Sequence, residues 1–451
     1  MGSNTTSTLA RAACFVSIPA LMPFWTGWAE AGFEAAFTIG QRVEVVDEEN
    51  ASVNDDEGTR SVTNLNFGLS SETRNQSFGL ELGTRLSYNF SDSEDLDREL
   101  TTARLSYGLT GATSSLDFAA TFRQTDVDES TFLDDDIDDD LAIDSGTRDV
   151  ISLRTRVETG RDGPANLTLA HTYTTTEFSD TTDPDLRDST RNRLTSNLAL
   201  RLSPVATANV FASYEDFEQD GTGGTDRQTL RFGLGGSFQA TKATNLSAEL
   251  SYNDIDTNTG SDSEGLGFAL GASHVRPNGT ISGDISSTET VNGTRTIVSV
   301  GRSFVYKWGE AALSLGASQT GDLDTQPQVN ARLNYAIDPL STLQLSLNQT
   351  ATANNDDEET VRTALRVGYN RTLTTRSSLT GSLQLSDQNV VTGGGEDRSV
   401  LRVSLAYRYT LANDWDLVSG VEYSRIDRET SNDETSNTLF VGVERTFNWR
   451  P

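Results

Sequence analysis

The sequence predicts an all-β fold, a transmembrane antiparallel up-and-down β-barrel of about 22 strands, and three observations support this prediction. Apolar residues alternate with polar or small residues in segments of about ten residues along most of the chain. Short turns rich in Gly, Pro, Asn and Asp alternate with longer acidic loops. Only 35% of the residues are hydrophobic, which suits strands that are apolar on one face alone.

The alternation is clear between Leu401 and Tyr409, where Arg402, Ser404, Ala406 and Arg408 separate apolar residues. A period of two places the two sets of side chains on opposite faces of a strand. We therefore expect one face of each strand to contact an apolar medium and the other to contact water.

The expected strand count is about 22, with about 18 or 20 as alternatives, and boundaries are good to two to four residues. The predicted strands begin near residues 33, 61, 77, 99, 116, 150, 166, 193, 207, 227, 244, 264, 280, 295, 311, 328, 341, 360, 377, 398, 415 and 436. An even count places both ends of the mature chain on one side of a membrane.

Residues 1–31 resemble a cleavable export signal, which leaves residues 32–451 as the barrel. Arg11 supplies the positive charge, Ala12–Trp25 forms the apolar core, and Ala29-Glu30-Ala31 fits the cleavage rule. The single cysteine, Cys14, lies in this segment, so a disulfide framework is not expected in the mature chain.

Charge and motif content argue against two classes of function. The formal net charge of −31 disfavours nucleic acid as a partner. The chain has two histidines and no phosphate loop, zinc motif or nucleophile elbow, so we do not expect an enzyme.

A soluble β-sandwich would also alternate, but two features favour a membrane barrel. Lipid forces every strand edge to be paired, which an uninterrupted meander achieves by closing. Aromatic residues cluster near the ends of the predicted strands, as in the aromatic girdles of membrane barrels. They are Tyr88, Phe90, Tyr173, Tyr214, Tyr252, Trp308, Tyr335, Tyr369, Tyr409, Trp415 and Tyr423.

The export signal, the long meander and a final strand Leu439–Phe447 that ends in an aromatic residue resemble bacterial outer-membrane proteins. Within this class the chain is similar to β-barrel porin type 2 proteins, some of which are linked to exopolysaccharide export. The resemblance implies a Gram-negative outer membrane, outer-membrane lipid and the barrel-assembly machinery as partners, and a solute or polysaccharide cargo. Asn448-Trp449-Arg450-Pro451 departs from it by extending past Phe447. Because the first strand begins near the cleavage site, no plug domain is expected.

The polar face of the predicted strands carries many charged residues. The candidate lumen-wall residues are Arg104, Arg123, Arg201, Arg231, Arg332, Arg362, Arg366, Arg402 and Arg408, with Arg42, Arg85, Arg154 and Arg156 on the same parity. The acids of this face are Glu81, Asp117, Glu158, Glu249, Asp284, Glu422 and Glu444. They form either a channel wall that selects anionic or sugar-like solutes or, as we favour for most of them, cross-strand ion pairs.

The loop 126–149 is the most acidic stretch. Its residues Asp134, Asp135, Asp136, Asp138, Asp139 and Asp140 are candidate Ca²⁺ ligands, although no EF-hand spacing is present. The alternatives are a constriction folded into the pore and, as we favour, a solvated loop. A barrel of about 22 strands is roughly 45 Å across, so the barrel is flattened, the true strand count is lower, or a loop or a partner fills the lumen. The other loops look too short to do so.

Three hypotheses follow. The first is an outer-membrane pore or transport barrel that passes small solutes or a secreted polysaccharide. The second is a structural or surface-interaction barrel that displays acidic loops for adhesion, Ca²⁺ or surface-layer contact. An integral membrane hydrolase is the least favoured, because histidine is scarce.

Overall fold

The computed structural model confirms the predicted fold as a single sheet of 22 strands that closes on itself. It describes residues 32–50, 56–90, 96–127, 144, 146–183, 186–221, 223–260, 262–412, 414–429 and 433–449. The elements given for these residues are strands, and no plug domain lies among them. The export signal 1–31 and the aspartates 134–140 fall outside the described residues.

The strand starts match the sequence prediction closely. The first half comprises β1 Phe33–Asn50, β2 Asp56–Glu72, β3 Gln76–Asn89, β4 Leu96–Thr110, β5 Ser114–Asp126, β6 Thr147–Thr159, β7 Ala165–Ser179, β8 Ser189–Ser203, β9 Ala206–Gln219, β10 Arg227–Gln239 and β11 Thr244–Thr257. The second half comprises β12 Ser263–Arg276, β13 Gly279–Thr290, β14 Gly293–Tyr306, β15 Gly309–Thr320, β16 Gln326–Asp338, β17 Ser341–Ala353, β18 Glu359–Thr374, β19 Ser377–Val390, β20 Arg398–Ala412, β21 Trp415–Arg428 and β22 Glu434–Trp449.

The wall is an up-and-down meander in which each strand pairs antiparallel with its neighbours in sequence. The barrel closes where β1 pairs with β22, with Phe37 opposite Phe447. Both described chain ends therefore lie at one end of the barrel, which we call the short-turn end. Connections such as 180–188 and 391–397 lie at the other, long-loop end.

The two faces of the wall differ as the alternation predicts. Outward side chains such as Leu234 and Leu266 are 62% and 69% exposed, which a soluble fold would not tolerate as a continuous surface. Polar side chains occupy the inward positions, as with Arg402, Ser404 and Arg408 on β20. No helix in the described part of the chain is long and apolar enough to cross a bilayer.

The expectation of strands of about ten residues is wrong, because they are 12 to 18 residues long. The reason is visible on the outward face of β9 and β11. Above Tyr214 and Tyr252, toward the long-loop end, the outward positions become acidic at Asp216, Glu218 and Asp254. Such a surface needs water, so the wall continues beyond its apolar band.

Aromatic side chains cluster on the outside of the short-turn end. Tyr306 stacks on Trp308 with ring centroids 4.5 Å apart, and Trp308 meets Tyr335 edge-on at 4.8 Å. At the seam, the rings of Phe37 and Phe447 stack at 6.4 Å. These rings mark the edge of the apolar band that lies nearest the short-turn end.

A buried charge network lines the inside of β1–β4. Glu44 is 1% exposed and forms ion pairs with Arg42 and Arg60. Arg60 also pairs with Glu99, at 3.2 Å, where a register shift in β4 turns that carboxylate inward. This network ties together the strands next to the seam.

Candidate functional site: a lumen covered at one end

The sequence-predicted arginines lie on the inward face of the wall. Arg332, Arg366 and Arg402 form a row across β16–β20, alternating with Ser346 and Gln384 as direct cross-strand partners. The remaining candidates also face the lumen, from β4, β5, β8 and β10 and from other positions on β18 and β20; they are Arg104, Arg123, Arg201, Arg231, Arg362 and Arg408.

Three of these arginines form ion pairs with inward-facing acids. Arg231 pairs with Glu249 at 2.5 Å, and Arg402 with Glu422 at 3.1 Å. Arg408 lies 2.8 Å from Asp416 and 2.9 Å from Glu444. In contrast, the exposed Arg104, Arg201 and Arg332 make no ion pair among the described residues. The wall therefore combines structural pairs with cations that face the lumen water.

The end of the β17–β18 hairpin leaves the wall and folds into the lumen. Glu359 pairs with Ala353 on the outward parity, yet its carboxylate contacts two inward-facing residues of other strands. Arg295 of β14 donates to it at 2.5 Å, and Thr320 of β15 donates at 3.0 Å. These contacts are possible only if the hairpin bends inward over β14 and β15. Val361, also of outward parity, is accordingly buried.

The hairpin tip, residues 354–358, continues across the lumen. Asp357 forms an ion pair with Arg227 at the start of β10. Arg191 of β8 donates to Asn355 at 3.0 Å, and Arg187 of the β7–β8 loop donates to Asp356 at 3.3 Å. The contacts therefore step from β14 to β10 to β8, onto the far wall.

Local turn chemistry shapes the tip. The side-chain oxygen of Asn354 accepts hydrogen bonds from the amides of Asp356 and Glu358, at 3.1 and 2.7 Å. Glu358 in turn accepts from the amide of Gly394, at 2.9 Å. A Cβ on the neighbouring Gly393, at φ 96°, would lie 1.9 Å from the Glu358 carboxylate, so this loop needs glycine there.

Two further loops join the hairpin tip, and together they form what we call the mouth cover, residues 180–183, 186–188, 354–358 and 391–397. Arg398 at the start of β20 bonds to Asp183 in the β7–β8 loop at 2.8 Å. Asp144 accepts from the amide of Thr182 in the same loop, at 2.5 Å. The cover therefore connects opposite sides of the long-loop end.

The expectation that loops other than 126–149 are too short to narrow the barrel is wrong. A short tip suffices because the strand ends of its hairpin lean inward with it. Sequence reasoning missed the residues that hold the tip, since they lie at the long-loop ends of the predicted strands, beyond those ends, or in loops. They are Arg187, Arg191, Arg227, Arg295, Asn355, Asp356, Asp357 and Glu359. The one available signal is arginine at the long-loop end of β8, β10 and β14.

A polar cavity of about 330 Å³ lies beneath the hairpin. The hairpin contributes Thr352 and Ala353 to its lining. Five arginines line the rest of it, together with Glu215 and Glu289; they are Arg191, Arg193, Arg227, Arg231 and Arg295. The lining has five guanidinium groups and two carboxylates, and Arg227, Arg231 and Arg295 pair with carboxylates outside it.

Phe217 fixes two of these arginines. Its ring is 1% exposed and pairs across the sheet with Arg191 on one side and Arg227 on the other. Both guanidinium groups lie over the ring, with their carbons 5.1 and 5.5 Å from its centroid. The aromatic ring thus orients the cations without neutralising them.

Burial shapes the electrostatics of the tip. It raises the pKa of Asp357 above its ordinary value, although the Arg227 guanidinium acts in the opposite direction. One carboxylate oxygen, Oδ2, is buried without a hydrogen-bond donor, which explains why burial dominates. The charged form of Asp357 is therefore only partly compensated in the covered state.

The other candidate residues of the sequence do not join this site. Both histidines face outward, where His171 contacts Asn192 at 2.8 Å and His274 contacts Thr244 at 2.9 Å. Within the described ranges no group of three or more His, Cys, Asp or Glu side chains is arranged to hold a metal ion. The proposed Ca²⁺ ligands 134–140 lie outside those ranges.

Comparison with known proteins shows likeness in structure only. No protein-family model matches the chain, and no curated protein matches it in sequence. The resemblance to β-barrel porin type 2 proteins therefore stays a prediction.

Several solved structures share the fold. A ferric enterobactin receptor from Pseudomonas aeruginosa superimposes with a TM-score of 0.55 at 12% identity, over 91% of this chain and 81% of the receptor. The ferric-catecholate import receptor Fiu from E. coli K12 gives 0.55 at 10% identity, over 93% and 82%. The copper transporter OprC gives 0.53 at 12% identity, over 93% and 80%. At such low identity, the likeness shows that the chain has the fold of these large β-barrels.

Proposed function

We propose that this protein is an outer-membrane transport barrel whose lumen passes anionic or sugar-like solutes, or a secreted polysaccharide, and whose β17–β18 hairpin is the gate. The observation that carries the proposal is the hairpin tip, which crosses an arginine-lined lumen and is held on the far wall by ion pairs. Catalysis has no part in the proposal.

Membrane insertion is supported by the outer surface of the wall. Its apolar band, bounded by aromatic rings such as those of Trp308 and Tyr214, matches the outer surface of barrels that span a bilayer. Outer-membrane barrels keep short turns in the periplasm and long loops outside. We therefore place the mouth cover on the outer side of a Gram-negative outer membrane, with outer-membrane lipid around the band.

The width of the barrel explains why a cover is needed. A circular barrel of this strand number is roughly 45 Å across between backbones, too wide to retain solutes if it stood open. The ion pairs that hold the hairpin are largely buried, and the cost of desolvating two charges offsets most of their attraction, so such pairs add little net stability to the covered state. A cover of this kind can be released by a competing anion or a partner.

The similar structures support the proposed class of function, a transport barrel. Their names describe two iron-chelate receptors and a copper transporter, which move small cargo. We extend to this chain only the role of a transport barrel, and we keep a solute or a polysaccharide as the cargo.

Conductance in planar bilayers tests the proposal. In one variant, residues 354–358 are replaced by Asn-Gly, a sequence that closes a tight hairpin. In a matched control, residues 321–325 of the β15–β16 loop, which has the same length, receive the same replacement. We expect brief openings for the wild type and the control, long openings for the hairpin variant, and a reversal potential that favours chloride. Silent bilayers for all three proteins would overturn the proposal.

A second candidate function is a display barrel, favoured by the acidic collar above the apolar band. Glu177, Asp216 and Asp256 face outward there, and the aspartates of loop 126–149 would add to this charge. Carboxylates at this height suit Ca²⁺ or surface-layer contact. Deleting residues 126–149 separates the candidates, because a display barrel would lose Ca²⁺-dependent adhesion and keep its conductance.

A further inference from the structure

We propose that the cavity beneath the β17–β18 hairpin binds a small oxyanion with two or more acidic groups, and that the carboxylates of the hairpin compete with this ligand for the same arginines. The inference rests on the proposed function, because it names the cargo class that would open the gate. It goes beyond that function by assigning a binding site.

The charges of the cavity support an anion. Arg193 and Arg191 share Glu215, at 3.6 and 3.9 Å, so the two guanidinium groups have one carboxylate between them. The buried Nε atoms of Arg191 and Arg231 have no hydrogen-bond acceptor. Guanidinium groups bind carboxylate and phosphate oxygens in a planar, two-pronged geometry, so the unused donors favour an oxyanion.

The hairpin behaves as an internal substitute for the ligand. In the covered state Asp357 neutralises Arg227, and Glu359 neutralises Arg295. Both arginines also line the cavity. When the hairpin leaves, it removes these carboxylates and exposes the cations together. A ligand with two acidic groups replaces both contacts at once, whereas a single carboxylate replaces one.

The size of the cavity limits the ligand. A volume of about 330 Å³ is at the lower end of ligand pockets, which hold ~300–1,000 Å³. Citrate, a single acidic sugar or a sugar phosphate fits this volume, and a folded polymer does not. A secreted acidic polysaccharide would therefore place one residue at a time in the cavity.

The rigid backing of the site favours specific binding over diffuse attraction. Phe217 stacks against two of the arginines, and around these residues β8, β9 and β10 pair without a register shift. The arginines therefore lose little freedom on binding. Loop carboxylates at the surface offer no comparable arrangement.

Calorimetric titration of the purified barrel in detergent tests the inference without requiring transport. The probes are citrate, inorganic phosphate and neutral glucose at constant ionic strength. We expect citrate or phosphate to bind, glucose not to bind, and the variant with 354–358 replaced by Asn-Gly to bind the anion at least about tenfold more tightly, since Asp357 no longer competes for Arg227.

Substitutions then locate the site. R193Q removes a cavity arginine that does not touch the hairpin tip, and we expect it to weaken anion binding by about tenfold. R425Q makes the same charge change on the outward face of β21, where Arg425 pairs with Asp427 and Asp433, and serves as the control. Binding of citrate alone identifies a carboxylate ligand, and binding of phosphate alone a phosphorylated one.

Two results would overturn the inference. One is anion binding that is equally strong in the wild type and the shortened hairpin variant. The other is equal affinity in R193Q and R425Q. Failure of the bilayer experiment would leave these titrations interpretable, so the binding site and the gate are tested separately.

Discussion

Arg191 on β8 donates a hydrogen bond of 3.0 Å to Asn355 at the tip of the β17–β18 hairpin, although their strands lie on opposite sides of the wall. In a ring of 22 strands, β8 lies opposite β19, so the hairpin tip must cross the lumen to make this bond. It shows that the long-loop end is covered by the barrel's own wall. The cover depends on side chains that can be changed one at a time.

The ion pair between Arg227 and Asp357 gives the first prediction. R227Q removes the cation while Asp357 stays buried and charged, which disfavours the covered state. We expect the open fraction in single-channel recordings to rise about tenfold, which corresponds to a loss of ~1.5 kcal/mol in the stability of the covered state. R425Q, with the same charge change outside the lumen, should behave as the wild type. An unchanged open fraction in R227Q would contradict the gating role of this pair.

The raised pKa of Asp357 gives a second prediction, with a definite sign. Because its pKa is higher in the covered state than after release, the covered state binds the proton more tightly. The stabilisation from this proton is complete below the ordinary pKa of a solvated aspartate and is lost as pH rises through the raised pKa of the covered state. Acidification should therefore lengthen the closed times.

The matching variant is D357N. Asparagine tolerates the left-handed backbone at this position, where φ is 62°. It also mimics the protonated acid, so D357N should remain covered at neutral pH and lose the acid response of the channel. If the wild type opened more at low pH and D357N showed the same response, groups other than Asp357 would control the cover.

The buried carboxylate of Glu44 gives a third prediction. E44Q leaves Arg42 and Arg60 without their shared anion beside the seam, and removing one partner of a buried pair costs about 3 kcal/mol. Urea unfolding in detergent should show this loss. Glu422 pairs with Arg402 through a more exposed carboxylate. We therefore expect E422Q to lower the free energy of unfolding by less than ~1 kcal/mol. Equal losses in the two variants would mean that burial does not strengthen the network.

The aromatic end of β22 gives a fourth prediction. Phe447 stacks on Phe37 across the seam and has the Arg445 guanidinium carbon 4.3 Å from its ring centroid. F447A should reduce the yield of folded barrel several-fold, because the seam loses its ring contacts. Heat-modifiable mobility in gels measures the yield. F238A, at another exposed outward ring, should assemble normally.

The strands were predictable because the alternation of apolar and polar residues within a segment is enough to identify that segment as a strand. The largest error in a start lies at β2, which begins at Asp56 and not near residue 61, since Asp56–Arg60 carries no apolar alternation above the band. The seam between β1 and β22 followed from the need to pair every edge. Strand length was underestimated for the same reason as the start of β2.

The cover was not predictable from the same pattern. Arg227 and Asp357 are brought together by the inward lean of a hairpin, and no local period or turn signal encodes a contact across a lumen. The inward placement of Arg332, Arg366 and Arg402 followed from parity, whereas their unequal pairing depends on register between neighbours. Sequence thus predicts which face a residue occupies better than which residue it meets.

The pairing of Ala35 with Trp449 brings the two ends of the described chain side by side at the short-turn end. In the closed barrel, β1 and β22 are therefore paired in the same way as any two neighbouring strands. A short peptide joining them, with the polypeptide reopened in the 321–325 connection, would yield a circular permutant that has the same wall. Its new amino and carboxyl termini would emerge beside the cover, where fluorophores or affinity tags could report on opening.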